Sequence, residues 1–197
     1  MKVVDYLINN WINLALVVVG ASAFITYLLQ NRNEKKSAAT KVLLQIDQIE
    51  KTVMALKSKR QIDNIAVYKT PVILEHSSWE EYGYQFYGKM GRDDIKLIDD
   101  FFSCAAELEK SRAAICHSLT IAWEHKDAEL QARIAEISFS KEKIGEDDIA
   151  SFSPFESCSH IFTPDISIDI LLSYINRYRA LSGTTAYERL KKISYRK

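Results

Sequence analysis

The longest apolar stretch of the chain lies near its N-terminus and covers residues 11–29 without a charged side chain. A helix over this stretch would extend roughly 28 Å, which matches the hydrocarbon core of a bilayer. Trp11 and Tyr27 stand near its two ends, where amphipathic rings favour the headgroup layer. Because backbone polar groups in lipid must pair internally, the pattern predicts a transmembrane α-helix over residues 11–30.

The charges that flank this stretch predict its orientation. Lys2 on the N-terminal side is offset by Asp5. The C-terminal side is basic and contains Arg32, Lys35, Lys36 and Lys41. Positive charge is retained in the cytoplasm. We therefore expect a single-pass protein of the cell inner (plasma) membrane, with an extracytoplasmic N-terminus over 1–10, a basic juxtamembrane linker over 31–37 and a cytoplasmic helical domain over 38–197.

A cleaved signal peptide is the main alternative for the N-terminal stretch. Ala21-Ser22-Ala23 has the small-residue spacing of a cleavage site. The start of the chain is barely basic, however, and hydrophobicity continues through Leu29, beyond that site. Both observations favour a retained anchor. A buried core helix is also disfavoured, because a basic segment directly follows an uncharged run of this length.

One face of the predicted span carries small and polar residues around Gly20. Asn13 lies seven positions before it, and Ala23 and Tyr27 follow it. Such residues let membrane helices approach closely and hydrogen-bond to each other. Asn13 also lies near the outer interface, and glycine is common in spans. We therefore favour the interpretation that these residues are ordinary constituents of a membrane span. The alternative is that they form a face where identical spans pack together.

A heptad pattern follows the basic segment, within a helix predicted over residues 38–66. Its apolar positions, here called the seam, are Val42, Ile46, Ile49, Val53 and Leu56. Such a seam is typical of a coiled coil that dimerises below the membrane, or of one helix in an intramolecular bundle. Leu43, Leu44 and Met54 widen the stripe, which favours the bundle. The seam is also a candidate oligomer or partner interface.

A second candidate interface is the aromatic group Trp79, Tyr82 and Phe86. Ser77-Ser78, followed three residues later by two glutamates, forms the capping-box signature of a helix start just before it. Aromatic residues dominate the hot spots of protein interfaces. The helical spacing of the three aromatic residues nevertheless favours a place in the core.

The next helical pattern begins at Asp93-Asp94 and extends to Ile137 without glycine or proline. The two acidic residues suit the positive end of a helix. Arg112 stands in the apolar row of this helix, where a buried arginine needs a carboxylate partner. The candidate partners are Asp100, Asp47 and Glu50. The apolar stripe drifts near residues 124–127, which predicts a bend or a change of neighbours.

The C-terminal part of the chain predicts a loop and two further helices. Ser138–Ser159 is polar and contains both glycine and proline, which is typical of a loop. Thr163-Pro164-Asp165 predicts the start of a helix that Gly183 ends. Thr185 and Glu188 form a capping box, which predicts a short last helix.

The patterns above predict an all-α protein, and the composition supports this fold class. The predicted architecture is a single N-terminal transmembrane helix followed by a cytoplasmic helical bundle with a long central helix. A short juxtamembrane coiled coil is an alternative for the segment after the span. Glycine (6) and proline (3) are sparse among 197 residues, as expected of helices. The 26 basic and 26 acidic residues balance, which argues against nucleic-acid binding. Three cysteines do not suggest a disulfide framework.

No residue pattern predicts a catalytic, cofactor or metal site. Cys116-His117 and Cys158-Ser159-His160 contain nucleophile and base types. Adjacent helical residues point in different directions, however, and the second spacing is unusual for zinc ligands. His125 and Glu129 share a helix face without the second pair that a di-metal bundle needs. We predict that the protein is not an enzyme and has no cofactor or metal. A helical hydrolase or metalloenzyme is the alternative that these residues leave open.

Together these patterns predict a membrane-anchored cytoplasmic helical interaction protein. We expect it to self-associate or to hold a protein partner at the inner face of the membrane, with the lipid bilayer as a partner and nucleic acid excluded. The alternative is a membrane-acting effector of a bacterial stress or phage-defence system, whose single spans oligomerise and perturb the bilayer. That alternative rests only on the architecture of one span, an adjacent seam and no catalytic pattern.

Overall fold

The first element of the fold is one uninterrupted helix, α1, from Trp11 to Lys57. It belongs to a computed structural model that describes residues 11–140 and 165–195. Its 47 residues correspond to about 70 Å of helix. The predicted span, the segment 31–37 and the seam therefore all lie on the same helix. The N-terminal segment 1–10, most of the predicted loop Ser138–Ser159, Cys158 and His160 lie outside the described residues.

Helix α1 ends at Lys57, earlier than the predicted boundary at residue 66. The reason is a separate short helix, α2 (Asn64–Tyr68), which has its own N-cap. The Asp63 carboxylate accepts a hydrogen bond of 2.7 Å from the backbone N–H of Ala66. An acidic cap of this kind satisfies a free N–H of the first turn and fixes where a new helix begins.

The segment after α2 contains a second short helix, α3 (Ser78–Tyr82), followed by a 3-10 helix over Gly83–Phe86. Ser77 caps α3, as its side chain accepts a 3.2 Å hydrogen bond from the N–H of Glu80. This confirms the predicted start. A Cβ atom at Gly83 would lie 3.0 Å from the Trp79 indole. Only a glycine therefore lets the chain pass this ring without displacing it.

The second long helix, α4, extends from Arg92 to Ser140 with Asp93 and Asp94 in its first turn, as predicted. It remains helical through 124–127. What changes along α4 is burial: Leu119 is 1% exposed, and none of its described side chains beyond that residue is buried. The drift of the apolar stripe therefore reflects a change of surroundings.

The last described elements are α5 (Asp165–Arg177) and α6 (Thr185–Tyr195). Gly183 does not end α5; it lies in the turn before α6, with a φ of 83° that suits glycine. The cap of α6 is Thr184, whose hydroxyl accepts a hydrogen bond from the N–H of Tyr187 at 3.3 Å. The predicted capping residue, Thr185, instead donates its hydroxyl proton to Asp94 at 2.9 Å.

Contacts between the helices define the direction in which each one runs. The segment that follows α1 runs back along α1 towards its N-terminal end. Ser78 in this segment donates its N–H to Gln45, and Gly88, ten residues later, lines the same cavity as Tyr27. Helix α4 therefore starts near the exposed part of α1 and runs parallel to it. Helix α6 runs antiparallel to α1, since Ser182 binds Glu50 and Ile193 lies near Arg32. The C-terminal end of α6 thus points back towards the exposed part of α1.

The seam lies in the core that these helices share. Its five residues, Val42, Ile46, Ile49, Val53 and Leu56, are each at most 1% exposed. Helix α1 packs on α6 and α3, while α4 packs on α5, α2 and α6. A coiled coil between two chains would need these same side chains on its surface. In the described structure the seam is therefore buried within one chain, and this burial does not support its use as an intermolecular interface.

We predict that truncating the seam destabilises the domain. Ile46→Ala should lower the free energy of unfolding by about 2–5 kcal/mol, because it leaves a cavity at a fully buried position. Leu44→Ala is the matched control; Leu44 is 65% exposed on the same helix, and the change should stay within about 0.5 kcal/mol. Denaturation of the full chain in detergent, followed by circular dichroism, measures both. Equal effects would contradict an intramolecular seam.

Candidate functional site

The most unusual surface of the molecule is the N-terminal part of α1, which projects from the packed helices. Every residue with a described exposure from Ala15 to Gln30 is exposed. The large apolar side chains of this part are 49–69% exposed, and they are Trp11, Leu16, Val17, Val18, Val19, Phe24, Ile25, Tyr27, Leu28 and Leu29. The described part of the chain contains one helix that is long and apolar enough to span a membrane. This exposure also rules out the interpretation as a buried core helix.

The packed helices begin abruptly at Ala38, which is 2% exposed. Between the apolar part and this point, α1 carries the predicted basic residues, of which Arg32 and Lys36 are exposed and Lys35 is half-buried. The segment is helical without interruption. The structure therefore joins the apolar part to the core through a continuous, charged stretch of helix.

Two cavities surround this charged stretch, where the chain returns from α3 and α6. The tyrosine cavity has a volume of about 780 Å³ and is lined by Tyr27, Gln30, Asn31, Glu34, Lys35, Tyr84, Gln85, Gly88 and Lys89. The basic cavity has a volume of about 380 Å³ and is lined by Arg32, Lys35, Lys36, Lys89 and Ile193. Lys89 lines both cavities, and the sequence analysis did not single it out.

The aromatic group belongs to the core rather than to a free surface. Trp79 is 5% and Phe86 0% exposed, and their rings stack with centroids 5.9 Å apart. The indole N–H of Trp79 donates to Asp99 on α4. Tyr82 is half-buried, and its hydroxyl accepts a 2.8 Å hydrogen bond from Lys41. The favoured core interpretation is therefore correct for Trp79 and Phe86, which are unavailable as an interface.

A buried carboxylate on α1 holds the turn that precedes α6. Glu50 is 7% exposed, and one of its oxygens accepts hydrogen bonds from the N–H groups of Leu181 and Ser182 at 2.7 and 2.8 Å. Its other oxygen accepts from the Ser182 hydroxyl at 2.6 Å. A buried charge is costly unless it is hydrogen-bonded in this way. Glu50 follows the seam residue Ile49 directly, so its position beside the stripe was the sequence signal for burial.

Two carboxylates on α4 hold other segments in the same manner. Asp94 is 4% exposed and pairs with Arg189 and Thr185 of α6. Glu109 accepts the N–H of Ile73 at 2.8 Å and forms a bidentate pair with Arg112, at 2.6 and 2.9 Å.

The Glu109 pair corrects the expected partner of Arg112. The true partner lies one helical turn away on the same helix, whereas the candidates Glu50 and Asp47 are engaged by the segment 181–187. Arg112 also donates to the Thr70 carbonyl at 3.3 Å. It thereby fixes the connection between α2 and α3 to α4.

Tyrosines reinforce the contact between the C-terminal helices and α1. The Tyr187 hydroxyl donates a 2.8 Å hydrogen bond to Asp47. Burial, and then this hydrogen bond, raise the pKa of Tyr187 to about 12. Burial, followed by the Glu50 charge, also raises the pKa of Tyr178 well above its ordinary value. Both hydroxyls therefore stay neutral at physiological pH.

The nucleophile and base types of the sequence do not converge in the described residues. Burial raises the pKa of the Cys116 thiol despite the nearby Arg112, and burial likewise raises the pKa of Cys104. A raised pKa disfavours the reactive thiolate. His117 and His125 are exposed. Within the described ranges, no three His, Cys, Asp or Glu side chains are grouped to hold a metal ion.

Comparisons with known proteins add no relative to this picture. No family model, curated protein or solved structure matches the chain.

We predict that removing the Glu50 carboxylate releases the turn before α6. Glu50→Ala leaves the N–H groups of Leu181 and Ser182 without their acceptor and should cost about 2–4 kcal/mol of stability. Hydrogen exchange should accelerate at residues 181–187 more than in α4. Glu124→Ala, at an exposed position, is the control and should change neither quantity. Unchanged exchange in the turn would contradict the role of Glu50.

Proposed function

We propose that this chain is a membrane-anchored interaction protein, in which the apolar part of α1 crosses the inner membrane and the helices that follow form a cytoplasmic bundle that holds a partner or a second copy there. The observation that carries the proposal is the exposed, uncharged part of α1 joined without a break to the core. Exposed apolar surfaces of this size mark a membrane or protein contact.

Lipid suits the dimensions of this surface. Residues 11–30 of α1 correspond to about 30 Å of helix, the thickness of one hydrocarbon core. The apolar side chains point in all directions around the helix axis, as they do in a span. A protein partner would cover one side of such a helix more easily than its whole circumference.

The structure of the region also supports a retained anchor over a cleaved signal peptide. Cleavage after Ala23 would leave the exposed side chains of Phe24, Ile25 and Leu28 at the new end of α1. Within the described residues, those side chains would then be exposed to water at the tip of a helix. The basic residues that follow favour a cytoplasmic position for the packed helices.

Association between copies would use the span, since the seam is buried. Gly20 leaves an open position on α1, where an added Cβ would meet no atom within 4 Å. Small residues in spans permit close approach of two helices, which then gain packing contacts. The described structure therefore supports the Gly20 face over the seam as the place where two copies would meet.

We predict that arginines in the apolar part of α1 abolish membrane retention. The double variant Leu16→Arg/Val19→Arg adds a cost of about 2.5–3.5 kcal/mol per residue to insertion. The control Leu44→Arg/Met54→Arg changes side chains of similar exposure, 65% and 50%, beyond the apolar part. Alkali-washed membranes should retain the full-length wild type and the control and lose the first variant. Recovery of intact wild type in the soluble fraction would contradict the anchor.

We further predict that the Gly20 face mediates self-association. Donor- and acceptor-labelled full chains in vesicles should show energy transfer above that of a monomeric span at equal density. Gly20→Leu should reduce this transfer severalfold, because the larger side chain separates the two helices. Val18→Leu, on the opposite side of α1, is the control. Energy transfer equal to that of the monomeric span would contradict self-association. The proposal would then be reduced to the binding of a different protein.

A further inference from the structure

The basic cavity brings four cations from two distant parts of the chain to one place. Arg32, Lys35 and Lys36 come from α1, Lys89 comes from the turn before α4, and Ile193 of α6 supplies an apolar wall. None of the residues that line this cavity carries a carboxylate. Glu34 lines the neighbouring tyrosine cavity, together with Lys35 and Lys89. The described lining of the two cavities therefore contains four basic side chains and one carboxylate.

The two lining residues outside α1, Lys89 and Ile193, are next to buried residues. Lys89 donates its N–H to the Phe86 carbonyl at 2.8 Å, and the next residue, Met90, binds the same carbonyl at 3.0 Å. Phe86 is 0% and Met90 7% exposed. Ile193 stands between Leu190 and Ser194, which are also buried. The backbone that carries Lys89 and Ile193 is thus attached to the core through buried neighbours, although the side chains that line the cavity are exposed or half-buried.

The position of the cavity matches the headgroup layer of a bilayer that surrounds residues 11–29. Arg32 is three residues and Lys36 seven residues beyond Leu29, which gives about 4.5 and 10 Å along the helix axis. The polar layer of each leaflet is roughly 5–8 Å thick. Arg32 therefore lies within that layer, and the backbone of Lys36 lies a few Å beyond it, from where its long side chain can extend back into the layer.

We infer that the basic cavity binds the phosphate of an anionic lipid headgroup. Guanidinium and ammonium groups donate charge-assisted hydrogen bonds to phosphate oxygens. The three cations of α1 alone are too few for a dedicated lipid site; Lys89 adds a fourth from another direction and closes the cavity. The inference rests on the proposed anchor, which brings the cavity to the membrane surface.

The test compares lipid selectivity of the full chain in phosphatidylcholine vesicles that contain a trace of spin-labelled lipid. Labelled phosphatidylglycerol should associate with the protein more strongly than labelled phosphatidylcholine. Lys36→Gln/Lys89→Gln should lower this preference by about fivefold per charge removed at low salt. The control Lys51→Gln/Lys110→Gln removes two exposed lysines outside the cavity and should leave the preference unchanged.

Three outcomes would overturn the inference: no preference for phosphatidylglycerol, an equal loss in the control, or full displacement of the labelled lipid by millimolar inorganic phosphate. The last outcome would assign the cavity to a soluble anion. Alkali extraction of the same vesicles separates this test from the anchor. Retention of the chain without lipid selectivity would reject only the cavity, whereas release of the wild-type chain would reject the anchor.

Discussion

The organisation of this molecule depends on one helix whose first part is exposed and whose second part is packed in the core. The first part of α1 is apolar on all sides, and its second part is apolar only along the seam. An α-helix can do both because its backbone hydrogen bonds are internal in either environment. No turn separates the two parts, since the charged stretch between them is helical.

The two long helices also hold the other segments of the chain through carboxylates, Glu50 on α1 and Asp94 and Glu109 on α4. Hydrophobic burial brings the helices together without specifying where their connections lie, whereas a buried carboxylate must find hydrogen-bond donors in particular positions. Glu50 finds them in the turn before α6, and Asp94 finds them within α6. Glu109 serves the connection before α3 in the same way. These acidic residues lie on the two long helices and fix the position of the segments that connect the other helices.

Much of the fold follows from local sequence patterns. The apolar stretch, the stripe of the seam, the cap at Ser77 and the acidic start of α4 are local features, and each was found where its pattern predicts it. A heptad stripe has the same spacing whether it packs within a chain or between chains. The pattern could not decide that question for the seam; the return of α6 along α1 did.

Two of the features that sequence analysis missed depend on contacts between distant residues, whereas the third, the partner of Arg112, lies on the same helix. Arg112 was assigned carboxylates from other positions, although one helical turn brings Glu109 within reach. Thr185 fits a capping box by spacing, but Asp94 competes for its hydroxyl and leaves Thr184 as the cap. Lys89 sits in an unremarkable turn, and only the folded chain places it beside the cations of α1. Local rules thus predict the elements, whereas the surface at the start of the core arises from their assembly.

The surface around Lys89 and the end of α6 indicates which end of the domain would lie towards the membrane if the apolar part of α1 is an anchor. With the apolar part of α1 in lipid, the turn at Lys89 and the end of α6 lie next to the bilayer. Helix α4 starts at the same end and runs away from it for 49 residues, which is about 73 Å. Its described side chains beyond Leu119 are half-buried or exposed, and Trp123 among them packs edge-on against Tyr68 of α2. With the proposed anchor, the membrane would thus occupy one end of the domain, and the distal part of α4 would point away from it.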